Sequence, residues 1–351
     1  MRSGYFKVDY YHDREILPFT VDRLTIALVS IFLVSLPVWA SPYLLHLMNL
    51  AGIAVIGAVG LNILMGYTGQ ISLGHAAFLA IGGYTTAILL TNFPTIPWPL
   101  IVVVSGLVSA LVGVVAALPA FRLKGLYLAL STLAFYEIVM FIILKAKPWT
   151  NGAEGLNVPR PTLFGGMTIY STVAFYVTIM GLAILGVIVC KNLLRTKTGR
   201  AFIAIRDWDL AASAVGVNLR QYKTLAFMIS SFYTGVAGSL YAYYLGFISP
   251  DDFTMLVSIN YIGMVLVGGM GTLVGAVTGA VFMTFLPEFA SMAAGYLGTI
   301  VPAFGDAGVV PYFERLIFGV VIVLFLIFEP DGIYGWLRNL RKYLVMWPFR
   351  Y

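Results

Sequence analysis

Charge is what this chain has least of. Asp, Glu, Lys and Arg make up 10% of its 351 residues, against about 25% in a soluble domain. The shortage is uneven. Leu24 to Phe121 is a run of 98 residues without a charged side chain, and residues 161–190, 224–250 and 253–287 are equally bare. Such runs exclude a soluble globular fold. Cysteine is nearly absent: the single Cys190 excludes an internal disulfide and a cysteine metal cluster. The three histidines, His12, His46 and His75, lie far apart with no ligand spacing. Catalytic motifs are missing too. There is no GxxxxGK[ST], so the chain does not itself bind ATP in a P-loop, and neither HExxH nor GxSxG occurs. The run Gly268-Gly269-Met270-Gly271 follows no strand and is not a dinucleotide fingerprint. A cleavable signal is lacking as well, because residues 1–23 are rich in charge and end in no small-residue cleavage site. The first apolar run therefore reads as a retained span.

What remains is membrane-length apolar sequence. Hydrophobic residues make up 60% of the chain, and a spanning helix needs about 20 of them in a row. Alternating ten-residue strands are absent, which argues against a β-barrel. The fold class expected is all-α, a polytopic integral membrane protein of about ten transmembrane helices. They fall near 24–41, 50–66, 70–91, 98–120, 126–144, 168–190, 224–246, 256–268, 272–294 and 312–328, the eighth being short enough to be broken or re-entrant. Lys and Arg outnumber Asp and Glu by 21 to 15. With the N-terminus in the cytoplasm and the spans alternating, 17 of the 21 basic residues fall inside, which is the bias expected of membrane topology. The basic excess thus reports orientation, and no nucleic-acid partner is expected. Residues 1–23 form a cytoplasmic segment, 24–330 the transmembrane domain with a cytoplasmic loop at 191–223, and 331–351 a cytoplasmic tail. The polar, Pro- and Gly-rich loop 145–167 and the loop 295–311 lie outside.

One stretch stands against its surroundings. Residues 66–84, GYTGQISLGHAAFLAIGGY, carry five glycines and the polar Gln70, Ser72 and His75 inside the most apolar part of the chain. Each glycine lowers helix propensity by about 1 kcal/mol relative to alanine. In a membrane that cost is offset where small residues let helices approach closely, and unwound backbone is tolerated where it faces protein or a water-filled cavity. Two compatible readings are open: a broken helix start near a transport pathway, or a tight helix crossing. Gly69, Gln70, Ser72, Gly74, His75 and Tyr84 are candidates for pathway or packing roles. There is an internal echo, because GYTGQISLG (66–74) and GGMGTLVGAVTG (268–279) both open with a glycine-dense turn and continue as apolar helix, and paired glycine-interrupted segments point to the pathway in many transporters. Glu137 is the sole acidic residue well inside a span. It is a functional candidate by default, with pairing to a neighbouring tyrosine as the structural alternative. Asn62 and Asn260 read as helix-to-helix hydrogen-bond partners.

The segment 191–223 carries seven basic residues. Within it, Asp207 to Leu219 has the makings of a short amphipathic helix. Asp207 and Asp209 suit its N-terminal end, Ala211, Ala212 and Ala214 keep it slim, and Gly216 can end it in a left-handed cap. Such a helix fits a groove on a partner protein; it fits equally an anionic lipid surface.

The same segment carries a resemblance. Leu210-Ala211-Ala212-Ser213-Ala214-Val215-Gly216 resembles the Glu-Ala-Ala-x-x-x-Gly loop of bacterial ABC importer permeases, which docks on the ATPase subunit. Leu210 stands where that family has glutamate, so a salt bridge from this position is not implied. The stretches 60–89, 150–161 and 200–227 look like signatures of the branched-chain amino acid permease family, and of the larger of its two paired permeases. The resemblance implies a transport subunit without chemistry of its own. Its implied partners are a second related permease, two cytoplasmic ATPases, a periplasmic or lipid-anchored substrate-binding protein and the lipid bilayer of a bacterial inner membrane. This chain would hold no cofactor, ATP and magnesium belonging to the ATPases. Close relatives in that branch carry urea or short amides, so the cargo stays open; the alternative of another class is an ion-coupled secondary transporter or channel, which usually needs intramembrane charges and would have only Glu137 and His75.

Overall fold

Inside a bilayer every backbone N–H and C=O must be satisfied within the segment, and helix is the way an apolar run does this. The computed structural model describes residues 20–160, 171–300, 310–329 and 331–346. Each of the ten expected apolar segments coincides with a helix: α1 Thr20–Trp39, α2 Pro42–Asn62, α3 His75–Asn92, α4 Trp98–Ala116, α5 Leu126–Lys145, α6 Thr172–Arg195, then α8 Leu219–Leu245, α9 Met255–Gly268, α10 Leu273–Ile300 and α11 Val310–Phe328. Between them runs α7, Lys197–Ala214, and after them α12, Gly332–Met346. Among the described residues, seven helices are long and apolar enough to cross a membrane, or eight if the pair around residue 330, bent by 50°, is one span. The count of ten is thus approximate. Helix ends obey local chemistry. Ser41 precedes Pro42 and its hydroxyl accepts from Leu44 N–H at 3.2 Å. Asn218 does the same for Gln221 N–H at 3.2 Å, and Gly246, at φ 77°, ends α8.

The core is built around α2 and α8. Every residue from Ala51 to Leu64 is buried, with α6, α8 and α10 packed around this helix. Small residues set the closest crossing, where α8 meets α3 and α4. A Cβ on Gly82 would stand 2.1 Å from Gly235 O, and one on Gly238 would stand 2.0 Å from Leu79 O. The Thr86 hydroxyl lies 2.8 Å from Ser105 Oγ and 2.6 Å from Ser239 Oγ at the same place, so the polar groups of three helices satisfy one another. By contrast α5 is peripheral. It packs against α3 through one face and leaves the rest exposed. Away from the helices, Leu156–Asn157 and Phe247–Ile248 form a short antiparallel pair, β1 and β2, with Leu156 opposite Ile248.

Several expected boundaries change. Residues 191–223 are not a loop: α6 runs to Arg195, and α7 and the start of α8 take up most of the remainder. The expected helix over 207–219 is replaced by the end of a longer helix that starts at Lys197, breaks at Trp208 and stops at Ala214. The eighth segment is preceded by a 3₁₀ turn at Pro250–Phe253, which lengthens it. The segment expected over 70–91 begins as helix only at His75. Of the external loops, 161–167 and 301–309 lie outside the described residues, as does most of the N-terminal segment 1–23, and 295–300 belong to α10.

Candidate functional site

The two glycine-dense turns meet at the basic end of the bundle. The first begins where α2 widens into a π-turn at Ile63–Tyr67, a form that recurs at functional breaks. Gln70 N–H reaches back to Leu64 O at 3.0 Å. From Thr68 to Gly74 the backbone is non-helical, and Gly69 takes φ 68°, the left-handed region. The second turn closes α9 and opens α10, with Gly269 at φ 115° and Gly271 at φ 72°. Asn62 ties the two together. Its Nδ2–H donates to Thr272 O at 2.9 Å, and its Oδ1 accepts from Gly271 N–H at 3.0 Å. A side chain at Gly66 has no room there, since a Cβ would stand 2.0 Å from Asn62 Oδ1 and 2.5 Å from Gly271 N.

Helix α7 reaches this junction from the side. Arg206 Nη1–H donates to Gly66 O at 3.2 Å, while Nε and Nη2 hold Asp207 Oδ1 at 3.1 and 2.9 Å. At Trp208 the backbone becomes extended, φ −163° and ψ 105°. Beyond it Asp209 meets Lys124 Nζ at 2.6 Å and lies 3.9 Å from Lys223 Nζ. Lys223 in turn donates to Ala120 O at 3.3 Å. The bond from Lys124 is the main cause that holds the Asp209 carboxyl below the ordinary aspartate range; burial opposes it, and the Lys124 and Lys223 charges and Leu210 N–H assist. The chain then closes in a Schellman turn: Val217 N–H bonds Ala212 O at 3.0 Å, Gly216 N–H bonds Ser213 O at 3.1 Å, and Gly216 is at φ 89°. This tip presents Trp208, Leu210 and Val215 at 66%, 64% and 80% exposure, while Ala212 is buried. A cavity of about 260 Å³ separates the tip from the first turn, lined by Gly69, Gln70, Lys124, Arg206, Asp209 and Lys223 among others.

Apart from Gln70, which lines this cavity, the other expected residues do not join this group. Gln70 donates to Thr68 Oγ1 at 3.0 Å, and its Oε1 is buried without a partner among the described residues. Ser72 is buried and accepts from Gly74 N–H at 3.3 Å. Gly74 abuts α5, where a Cβ would stand 2.5 Å from Thr132 O. His75 is wholly buried. Its Nε2 lies 3.1 Å from both Gly57 O and Thr234 Oγ1, with its ring edge-on to Tyr261. That is a histidine holding helices together. Tyr84 is buried against Phe253, its hydroxyl without a partner among the described residues. Glu137 is on the exposed side of α5. Asn260 makes no helix-to-helix hydrogen bond among the described residues, whereas Asn62 does. Sequence reasoning passed over Arg206, Lys124 and Lys223 as topology charges. The signal that marks Arg206 is its place just before the two aspartates at the break.

The chain is similar in sequence to known proteins. A family model described as the permease component of branched-chain amino acid transport systems matches residues 43–326. The chain is 30% identical over 334 residues to the high-affinity branched-chain amino acid transport system permease protein LivM of Escherichia coli K12, covering 89% of this chain and 74% of that protein. It is 26% identical over 235 residues to the probable LivM of Methanocaldococcus jannaschii, covering 67% of each. An autoinducer 2 import system permease protein, LsrC of Enterobacter sp. strain 638, is 31% identical over 172 residues, covering 46% of this chain and 47% of that protein. No solved structure matches. The chain belongs to the branched-chain amino acid ABC permease family and is a multi-pass membrane protein.

Proposed function

We propose that this permease is the translocation subunit of an ATP-driven importer for branched-chain or other hydrophobic amino acids, with hydrolysis on separate ATPase chains. One observation carries the reading. The exposed tip beyond Trp208 is bonded, through Arg206 and Asp209 on either side of a backbone break, to the places where two membrane helices begin and end. A push on the tip reaches Gly66 through a single hydrogen bond, and through Gly66 and Asn62 reaches the turn between α9 and α10. That is how a subunit without a P-loop converts a partner's closure into movement of membrane helices. The family's glutamate is replaced by Leu210, and the exposed apolar trio fits docking by burial rather than by an ion pair.

The assembly proposed has a second related permease beside this chain, two cytoplasmic ATPases holding ATP and magnesium beneath it, and a periplasmic or lipid-anchored binding protein above. The basic end faces the cytoplasm of a bacterial inner membrane, with both termini on that side. The test is uptake of labelled leucine and labelled urea, side by side, in a host that lacks its own systems and expresses this chain with its neighbouring genes. Leucine uptake that stops when the Walker lysine of the ATPase is replaced supports the reading. Urea uptake alone keeps the machine and changes the cargo. Uptake that continues without the ATPases overturns it. Deleting residues 207–216 is expected to abolish co-purification of the ATPases while the chain stays in the membrane.

A further inference from the structure

Glu137 is placed where a carboxylate is costly unless water or a cation reaches it. It is the twelfth residue of α5, Leu126–Lys145, which sets it about 16 Å from one helix end and about 12 Å from the other at a rise of about 1.5 Å per residue. A hydrocarbon core about 30 Å thick puts it near mid-depth. Thr132, Tyr136, Val139, Met140 and Ile143 are buried against the bundle, whereas Glu137 shares the exposed side with Leu130, Ala134, Ile138 and Phe141. Among the described residues it has no hydrogen-bond or ion-pair partner, so the structural role of fixing a helix contact has nothing to act on. Ionisable side chains at this depth face a protein interior or a water-filled cavity and not lipid tails.

The buried face of α5, turned away from Glu137, packs on non-helical backbone. The unwound stretch from Thr68 to Gly74 lies against α5: Leu73 N–H donates to Thr132 Oγ1 at 2.9 Å, and Gly74 abuts Thr132 O. Within that stretch Gly69 and Ile71 are exposed. The cavity at the foot of α5, lined by Thr68, Gly69, Gln70, Gly125 and Leu128, begins about 13 Å below Glu137 along the helix.

We propose that this side of α5 borders the water-filled path through the membrane, and that the Glu137 carboxylate receives the ammonium group of the amino-acid cargo; the inference rests on the importer reading above. Ile138 and Phe141 flank the carboxylate and suit an apolar side chain. A neutral solute such as urea gains no charge pairing there, and a solute bearing only a carboxylate is repelled.

The test uses the complete transporter in proteoliposomes. Wild type, Glu137→Gln and Glu137→Asp are compared for leucine uptake, ATPase rate and co-purification of all subunits. Glu137→Gln should lose leucine uptake about tenfold or more, the scale of one charge-assisted contact, with assembly and basal hydrolysis intact, and Glu137→Asp should recover part of it. A Glu137→Cys, Cys190→Ala chain should react with a water-soluble thiol reagent and be protected by leucine. Wild type that carries no leucine defeats the importer reading itself. Wild type that carries leucine while Glu137→Gln carries it equally well overturns this inference alone. So does Glu137→Cys that reacts only with lipid-soluble reagents, or Glu137→Gln that no longer retains the second permease, which would make this side of α5 a subunit contact.

Discussion

The two glycine-dense turns have similar composition and do opposite things. The turn after α9 is short: helix ends at Gly268 and resumes at Leu273, and the two helices press together along their length. A Cβ on Gly268 would stand 2.0 Å from Gly275 O, and one on Gly279 would stand 2.0 Å from Met264 O. Glycine here removes bulk so that two backbones can touch. The turn after α2 leaves Thr68 to Gly74 unwound and exposes Gly69 and Ile71. Glycine here supplies a left-handed conformation and lets the chain stay open. One turn is a clasp and the other a break. Asn62 and Arg206 join them, so a movement at the break is felt at the clasp.

That contrast can be broken most severely at the clasp. Gly268→Leu forces a side chain into backbone of the facing helix, which cannot swing aside as a side chain can. Overpacking costs about 1–3 kcal/mol and occasionally more. The expected outcome is loss of monodisperse protein in detergent, read by size-exclusion chromatography. Wild-type yield and melting temperature would show that the two helices are not clasped. Next comes the link. Asn62→Leu leaves Gly271 N–H and Thr272 O without their partner, and each unmet buried group costs about 1–3 kcal/mol. The protein should melt lower, and on the importer reading proposed above the partner ATPase should hydrolyse ATP without driving uptake. A variant that stays fully coupled would mean the turns move independently. Smaller again is Gly69→Ala. At φ 68° an L-residue costs about 1–2 kcal/mol, and the nearest atom to the new methyl would be Arg206 Cγ at 3.3 Å. Stability should fall modestly, and the transport rate more than the melting temperature.

Much of this was legible before the fold. Runs without charge announced the membrane helices, because no other structure satisfies so much apolar backbone. The glycines of 66–84 announced a break or a close crossing, and both occur, the break at 68–74 and the crossing at Gly82. The echo between 66–74 and 268–279 was visible as composition. That the two segments touch was not, since the contact runs through Asn62 some 200 residues away in sequence, and one sequence carries no record of such pairings. The helix expected over 207–219 starts too late and runs too far, since the observed one begins at Lys197 and stops at Ala214. Local signals gave Gly216 as its end, and the structure has Gly216 in a left-handed turn. The break at Trp208 has no local signal; directly after it Asp209 pairs with Lys124, a contact distant in sequence. Polar residues were the least legible. His75, Tyr84 and Glu137 all look alike as polar groups in apolar runs, and only packing separates a buried bracing histidine from an exposed carboxylate.

The smallest effect expected concerns the tether itself. Lys124 is 64% exposed on its side chain, and pairs this open to water are worth about 0.2–1 kcal/mol. Asp209→Asn should therefore leave the melting temperature nearly unchanged. Its signature is local and depends on pH. The Asp209 carboxyl is held below its ordinary value, chiefly by the bond from Lys124. A group lowered on folding adds stability above its unfolded value, about 3.9, and that contribution disappears as pH falls through the lowered folded value. At neutral pH, amides of residues 209–214 should exchange more slowly in wild type than in Asp209→Asn. The gap should hold down to about pH 5 and close only as the pH falls below the ordinary aspartate value, about 3.9, where the carboxyl takes up its proton. Equal exchange at neutral pH would mean that the helical turn after Trp208 stands without the tether, and that Arg206 is the bond that joins this tip to the glycine-dense turns.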